Sequence, residues 1–296
     1  MWDLARPAMG LAVLLLLLAV PAVAQSNIAV ELDEVTDNRV EAGEFRGSLE
    51  LRVKLTGSNL EKAAAARVIV KEAKDDRGND LAKDRSVPDF FPREYNNGTL
   101  QFTLATPARQ AKTVRLKGNV ELYVPTRDPN AIVKVDKALA RLDQPLSSKA
   151  LKAAKIDIRP LSRTAYAKAL EDQKLDETKI AALRAEGKAR GVSEKEIEMM
   201  IGLAQAFEMS PGDTPEGAVI LSGKKDSFDR IYRIEILGSD GKPIEVGGRQ
   251  SSTRGDDSLM TLQPSQTPPE NAALQLYVIT PKARVTAPFE LTVELP

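Results

Sequence analysis

The sequence predicts a mainly β protein with two antiparallel β-sandwich domains and a three-helix insert or connector between them. Three observations lead to this fold class. Most of the chain alternates between apolar and polar residues with a period of two, as half-buried strands do. A set of short landmarks occurs twice in the same order. Between the two occurrences, residues 162–209 change to a helical period.

The first predicted domain covers residues 25–160 and contains seven short alternating segments that are separated by turn signals. Seven such strands are typical of an immunoglobulin-like sandwich, in which two antiparallel sheets pack face to face. The resemblance concerns the architecture alone and implies no particular function. The predicted strands are residues 27–35, 47–55, 66–73, 99–105, 113–124, 131–137 and 155–159.

The second predicted domain, residues 211–296, repeats landmarks of the first. Leu55-Thr56-Gly57 closes one predicted strand, and Leu221-Ser222-Gly223 closes another. Later in each half, an alternating strand carries Leu122-Tyr123-Val124 or its counterpart Leu276-Tyr277-Val278. The order of the landmarks is preserved although their spacing differs by several residues. We therefore interpret the two halves as related sandwich domains, and the sequence as an internal repeat.

Residues 161–210 are predicted to form the helical insert or connector. Ser162 and Asp176 are suited to helix starts because their side-chain oxygens accept hydrogen bonds from free backbone N–H groups. Ser193 and Glu196 have the spacing of a capping box. The helix that follows should carry one apolar face, formed by Ile197, Met200, Ile201, Ala204 and Phe207.

The first 24 residues have the pattern of a secretory signal peptide. Arg6 supplies a positive charge before the apolar run 11–20, and Pro21 ends that run. Ala22-Val23-Ala24 has the small-x-small pattern of a cleavage site, so the mature chain should begin at Gln25. The apolar run is shorter than the ~20 residues that span a bilayer. We expect a secreted or periplasmic protein without stable membrane insertion after cleavage.

The composition excludes several classes of active site. The 296 residues include 42 Lys or Arg, 42 Asp or Glu, no His and no Cys. Without these two residue types the chain cannot form a Ser-His-Asp triad, a thiol redox site or a zinc site of thiolate and imidazole. Zero net charge argues against binding to nucleic acid. We predict no cofactor and no enzymatic activity, with a carboxylate-based hydrolase as one alternative.

An acidic turn offers the weak metal-site candidates of the sequence. Asp75, Asp76, Asn79 and Asp80 carry the oxygen ligands that Ca²⁺ prefers. Their spacing does not fit an EF-hand loop, and Arg77 places a positive charge among them. The preferred interpretation is a turn in which Asp bonds the backbone and glycine supplies a positive φ. A calcium-dependent or carbohydrate-binding module remains an alternative.

A proline-bounded aromatic segment gives the candidates for protein interaction, which are Phe90, Phe91, Arg93 and Tyr95. Aromatic residues together with arginine are the usual anchors of a protein interface. The segment could instead plug the open end of a sandwich. Because adjacent residues of an extended chain face opposite ways, we expect one Phe to point inward and the other, with Tyr95, outward.

These observations favour an exported, non-enzymatic binding or scaffolding protein of the cell envelope. It would act through loops at a sandwich end or through a strand edge. The expected partner is another envelope or extracellular protein.

Overall fold

The computed structural model describes residues 28–38, 47–58, 60–82, 88–92, 98–206 and 214–296. These residues form a mainly β protein with four antiparallel sheets and five α-helices. The predicted signal peptide, residues 1–24, lies outside the described residues. No helix in the described ranges is long and apolar enough to cross a membrane.

Within the described ranges, fifteen strands form the four sheets. They are β1 (Ile28–Asn38), β2 (Ser48–Gly57), β3 (Ala65–Asp75), β4 (Phe91–Pro92), β5 (Thr99–Ala105), β6 (Thr113–Tyr123), β7 (Ile132–Val135), β8 (Ile158–Pro160), β9 (Val219–Lys224), β10 (Ile231–Leu237), β11 (Pro243–Ile244), β12 (Val246–Arg254), β13 (Asp257–Pro264), β14 (Ala273–Val278) and β15 (Arg284–Glu294). The helices are α1 (Lys149–Ala153), α2 (Arg163–Gln173), α3 (Glu177–Ala189), α4 (Glu194–Ala206) and α5 (Lys225–Phe228).

Two of the sheets pack against each other and form the first sheet pair. One sheet has the strand order β1-β2-β5 and the other β15-β6-β3-β4. Alternation along β2 buries Leu49, Leu51, Val53 and Leu55 and leaves the residues between them outside the core. These side chains meet apolar residues of the facing sheet, which include Val68, Val114, Leu116, Val120 and Leu122.

The other two sheets form the second sheet pair in the same way. Their orders are β11-β10-β14-β7 and β12-β13-β9-β8. Leu221, Met260 and Leu262 from one sheet share a core with Ile234, Ile236, Leu274 and Leu276 from the other. Helix α1, which lies between β7 and β8 and was not predicted, adds Leu151 to this core.

The two sheet pairs have corresponding strand orders. Strands β3, β6 and β15 of the first pair are arranged as β10, β14 and β7 are in the second, and β1, β2 and β5 as β8, β9 and β13. Strand β12 adds a fourth position to its sheet, next to β13. Tyr123 and Tyr277 lie on the corresponding strands β6 and β14, and the two Gly-terminated landmarks lie on β2 and β9.

In each sheet pair, one edge strand comes from the part of the chain that forms most of the other pair. Strand β15 is the C-terminal strand, yet it pairs with β6 along its whole length. Strand β7 follows β6 in sequence, yet it pairs with β14 of the second sheet pair. A glycine accommodates part of this exchange, because the ring of Phe289 on β15 lies over Gly118 on β6 and a Cβ there would come within 2.7 Å of it.

The sheets therefore cross the predicted domain boundaries 25–160 and 211–296. Strands β7 and β8 lie within the first range but belong to the second sheet pair. Strand β15 lies within the second range but belongs to the first sheet pair. The physical reason is that an alternating pattern determines which face of a strand is buried and does not determine the strand beside it.

Helices α2, α3 and α4 occupy the predicted helical segment and begin at the predicted caps. Ser162 Oγ accepts a hydrogen bond from Ala165 N at 3.1 Å, and Asp176 Oδ1 accepts one from Lys179 N at 2.8 Å. Ser193 N donates to Glu196 Oε2 at 3.1 Å, which is one half of the predicted capping box.

The predicted apolar face of α4, the third helix of the helical segment, is only partly buried. Ile197 and Ile201 are buried, whereas Met200 is 50% exposed. Met199 and Leu203 are exposed as well, and Phe207 lies outside the described residues.

Candidate functional site: a cleft at the junction of the two sheet pairs

Two connections join the sheet pairs, and they meet in a near-symmetrical arrangement. Residues 124–131 lead from β6 to β7, and residues 279–283 lead from β14 to β15. Val124 N donates to Ala283 O at 2.7 Å, and Val278 N donates to Ala131 O at 2.7 Å. In each sheet pair, the segment that leaves the pair is thus hydrogen-bonded to the segment that enters the same pair.

A buried carboxylate links the two connections. Asp128 is 6% exposed and accepts a hydrogen bond from Thr280 Oγ1 at 2.6 Å. Asn130 N also donates to Asp128 Oδ1, at 2.9 Å. The hydrogen bonds from Thr280 and Asn130 lower the pKa of Asp128 and outweigh its burial. The side chain therefore stays ionised and holds the crossing point together at neutral pH.

Three aromatic rings fill the space between the sheet pairs. The centroid of Tyr123 lies 5.9 Å from that of Phe90 and 5.1 Å from that of Tyr232. Tyr123 OH donates to Val278 O at 3.1 Å, and Tyr232 OH donates to Ala64 O at 3.3 Å. Burial raises the pKa of Tyr123, so its hydroxyl remains a proton donor. Each tyrosine bonds the backbone of the opposite sheet pair, which restricts motion between them.

Arg67 holds the segment around Phe90 against this cluster. Its guanidinium lies 4.2 Å from the centroid of the Phe90 ring. Its Nε and one terminal nitrogen donate to Glu121 Oε2 at 3.0 and 2.7 Å, and the other donates to Pro88 O at 3.1 Å. Both side chains of the ion pair are largely buried. Breaking the pair would therefore leave a charge with little solvent to stabilise it.

Beside the aromatic cluster lies a cleft of about 600 Å³ that both sheet pairs line. The first pair contributes Arg67, Asp89 and Phe90, and the second contributes residues of α5, β10, β12 and β13. Pockets of this volume accommodate small molecules or a few side chains. Hydrogen bonds fix the two walls relative to each other. The cleft is therefore formed without a movement of the two sheet pairs towards each other.

The structure describes two of the four candidates for protein interaction and places them differently. Phe90 is 8% exposed and belongs to the aromatic cluster, whereas Phe91 is 50% exposed. The expected division between an inward and an outward Phe is therefore observed, with Phe90 inward. Phe90 covers the junction of the two sheet pairs. Arg93 and Tyr95 lie outside the described residues.

The acidic turn at the end of β3 is organised around Asp75. Its Oδ1 accepts hydrogen bonds from Arg77 N at 3.0 Å and Asn79 N at 2.8 Å. Its Oδ2 accepts from Asn79 Nδ2 at 2.8 Å and Ala108 N at 2.9 Å. Burial acts to raise the pKa of Asp75, but these hydrogen bonds together lower it. The N–H donors occupy the directions from which a cation would approach.

The other acidic side chains of this turn also accept backbone hydrogen bonds. Asp76 accepts from Lys112 N at 3.2 Å, and Asp80 Oδ1 accepts from Ala82 N at 3.0 Å. Across the described ranges, no group of three or more acidic side chains is arranged to hold a metal ion. This geometry favours the turn over the calcium alternative.

Replacing Asp75 with alanine should lower the free energy of unfolding by about 3 kcal/mol at neutral pH, because buried N–H donors lose a charged acceptor. The pKa of Asp75 is lower in the folded protein than in the unfolded chain. Its contribution is therefore present above the ordinary pKa of a carboxyl group and is lost as the pH falls through the folded value. Urea titrations at pH 7 and about pH 2 should show the difference between the two proteins shrinking in acid.

Asp76→Ala is the matched control, because this neighbouring carboxylate is exposed. It should change the free energy of unfolding by less than about 1 kcal/mol. EDTA should leave the melting temperature of the unmodified protein unchanged. A rise in melting temperature with Ca²⁺ that Asp75→Ala abolishes would contradict the structural role of the turn.

Sequence reasoning did not identify the cationic and polar residues of the cleft. Arg67 and Glu121 are 54 positions apart, and Arg249 lies in the other half of the chain. The sequence signal nearest to the cleft was the set of aromatics, which includes Phe90 of the cleft wall. A comparison with protein-family models, with curated proteins and with solved structures finds no match for this chain.

Proposed function

We propose that the chain is an exported, non-enzymatic protein of two immunoglobulin-like sandwiches that binds a partner protein in the junction cleft. In an immunoglobulin-like domain, strands A to G form the sheets ABED and CFG. Strands β8, β9, β13 and β12 have the order A-B-E-D, and β10, β14 and β7 have the order C-F-G. The first sheet pair agrees with the same scheme, with β15 as strand G and position D vacant among the described strands.

The shared strand scheme supports duplication of one sandwich, followed by exchange of strand G. Each strand F continues into the strand G of the other domain, since β6 leads to β7 and β14 leads to β15. Exchange of an identical element is a low-cost way to join two related domains. The result is a rigid pair of domains, which suits a protein that presents a preformed cleft.

The signal-like segment at residues 1–24 supports export. A chain without cysteine forms no disulfide in an oxidising compartment, so packing and hydrogen bonds must hold it together. The buried core of each sheet pair and the bonded crossing point provide that stability. N-terminal sequencing of protein from the native host should begin at Gln25.

The cleft itself carries the proposal, because it lies where two rigidly joined walls meet and contains both polar and apolar groups. Its charged groups are mostly held by neighbours: Arg67 pairs with Glu121, and Lys225 Nζ pairs with Asp229 at 2.5 Å. A hydrolase of the carboxylate type needs two acidic groups that act on one bond. The pairing of Asp229 with Lys225 therefore favours binding over catalysis.

The test is capture of partners from the envelope fraction of the host by the mature protein and by two tryptophan variants. Ser251→Trp fills the cleft from β12. Gln250→Trp places the same bulk on the opposite face of the same strand. We expect a protein that the unmodified chain and Gln250→Trp retain and that Ser251→Trp loses. Equal capture by both variants, with both folded, would reject the cleft as the binding site.

A further inference from the structure

One wall of the cleft consists of polar residues of the edge strand β12. They lie on the face of the sheet whose neighbouring strand β13 contributes to the apolar core of the second sheet pair. In the pairing of β12 with β13, Arg249 lies beside Leu262 and Ser251 beside Met260. Residues paired in this way share a face of the sheet, and both Leu262 and Met260 are buried in the core of the second sheet pair. Arg249, Ser251 and Thr253 therefore lie on the same face at the edge of the sheet, where they line the cleft and remain exposed to solvent.

Arg249 differs from the other cations of the cleft in lacking a bonded carboxylate. Arg67, Arg233 and Lys225 form ion pairs with Glu121, Glu235 and Asp229. In the part of the chain that the structure describes, no hydrogen bond or ion pair joins Arg249 to another residue. Asp89, which also lines the cleft, attracts Arg249 without a hydrogen bond or ion pair to it.

The surroundings of Arg249 favour an anion that enters from outside. The cleft walls displace part of the water around the guanidinium and lower the pKa of Arg249, while Asp89 acts in the opposite direction. The side chain still retains access to solvent. A planar guanidinium in this position can donate two parallel hydrogen bonds to a carboxylate.

We propose that the cleft recognises an acidic side chain in a short segment of a partner protein, with Arg249 as the group that binds its carboxylate. The proposal rests on the proposed function and adds the chemistry of the partner. Ser251, two residues along the strand from Arg249, supplies a hydroxyl group for a further hydrogen bond to the segment, whereas the Thr253 hydroxyl is already bonded to Ser258 Oγ at 2.7 Å. Pro92, Tyr232 and Ile279 are half-buried and form the accessible apolar part of the lining, so the acidic residue should have an apolar neighbour.

A peptide segment fits the cleft better than a small anion does, because the arginine, hydroxyl and apolar groups of the lining are spread over a large volume. A single carboxylate would contact Arg249 and leave the apolar wall uncovered. A segment with one acidic and one apolar side chain covers both, and the apolar area that it buries adds to its affinity. The arginine then gives preference for the charge.

The experiment is selection from a displayed library of random heptapeptides with the folded mature protein and three variants. The unmodified chain should enrich peptides that carry Asp or Glu beside an apolar residue. Arg249→Gln should lose the acidic preference and bind the enriched peptides about tenfold more weakly or worse. Arg249→Glu should enrich Lys or Arg at that position. Arg159→Ala, an exposed arginine on β8 outside the cleft, should select as the unmodified chain does.

The outcomes separate the chemistry of the partner from the existence of the site. Enriched peptides that Ser251→Trp loses, but that show no acidic preference, would overturn the role of Arg249 and leave the binding cleft standing. No enrichment above Ser251→Trp would overturn both. A charged side chain on an edge strand can also prevent pairing with another chain. Self-association of Arg249→Gln with unchanged peptide selection would overturn the inference in favour of that role.

Discussion

Deleting residues 284–296, which contain β15, should unfold the first sheet pair and leave the second pair folded. Ala287 and Val293 on β15 are fully buried in the first core, and Val285 is nearly so. Each buried Val contributes about 1.5–3 kcal/mol, and β6 would also lose all its hydrogen bonds to β15. The loss should be about 5 kcal/mol or more, which is comparable to the stability of a whole domain.

Hydrogen exchange measured along the chain would locate the loss. Amides of β6 and β3 should become unprotected in the truncated protein, whereas those of β10 and β14 should remain protected. A synthetic peptide of residues 281–296 should restore protection to β6. Loss of protection in β10 and β14 instead would show that the C-terminal strand belongs to the second sheet pair, as a simple tandem arrangement requires.

A matched pair of point variants provides the control for this deletion. Val133 on β7 and Val285 on β15 stand at corresponding positions, each two residues after the alanine of its connection. Both are buried, Val133 in the second core and Val285 in the first. Val285→Asp should expose the first sheet pair and Val133→Asp the second. Each variant thus acts mainly on the half of the sequence in which it does not lie.

The sequence predicted seven strands that overlap observed ones within residues 25–160, but it did not predict β12 and β13 and could not predict this exchange. Predicted strand 99–105 has the same bounds as β5, and the shared Leu-Tyr-Val landmark lies at β6 and β14, which have the same position in their sheets. Both results rest on local alternation. The connections 124–131 and 279–283 determine whether a sheet pair contains the strand that follows its own strand F or the one that follows strand F of the other pair. Their backbone hydrogen bonds to each other form only when distant parts of the chain meet.

The candidate site shows the same limit in its polar residues. Phe90 was predicted because aromatics cluster within a few positions of the sequence. Arg67, Glu121 and Arg249 have no such local signature, since each lies on a different strand and alternates with ordinary surface residues. Their significance arises from tertiary neighbours, namely the Phe90 ring for Arg67 and the absence of a bonded carboxylate for Arg249 within the described residues.

Phe90→Ala should cost about 3 kcal/mol of unfolding free energy or more, as truncation of a buried Phe generally does. The side chain is 8% exposed and contacts the Tyr123 ring on one side and the Arg67 guanidinium on the other. Its removal would leave a cavity at the junction and would admit water to the ion pair of Arg67 with Glu121. Urea denaturation at neutral pH measures the loss directly.

Phe91→Ala is the matched control, because the same side chain is removed one position further along the chain. Phe91 is 50% exposed, so its truncation should leave a smaller deficit than that of Phe90, with the two variants differing by at least ~1.5 kcal/mol. The larger loss must belong to Phe90, since the junction of the two sheet pairs closes over its ring. Equal losses in the two variants would mean that both rings are equally buried in solution. In that case the segment would act as a simple plug, and the wall that Phe90 gives to the cleft would have to be assigned to other residues.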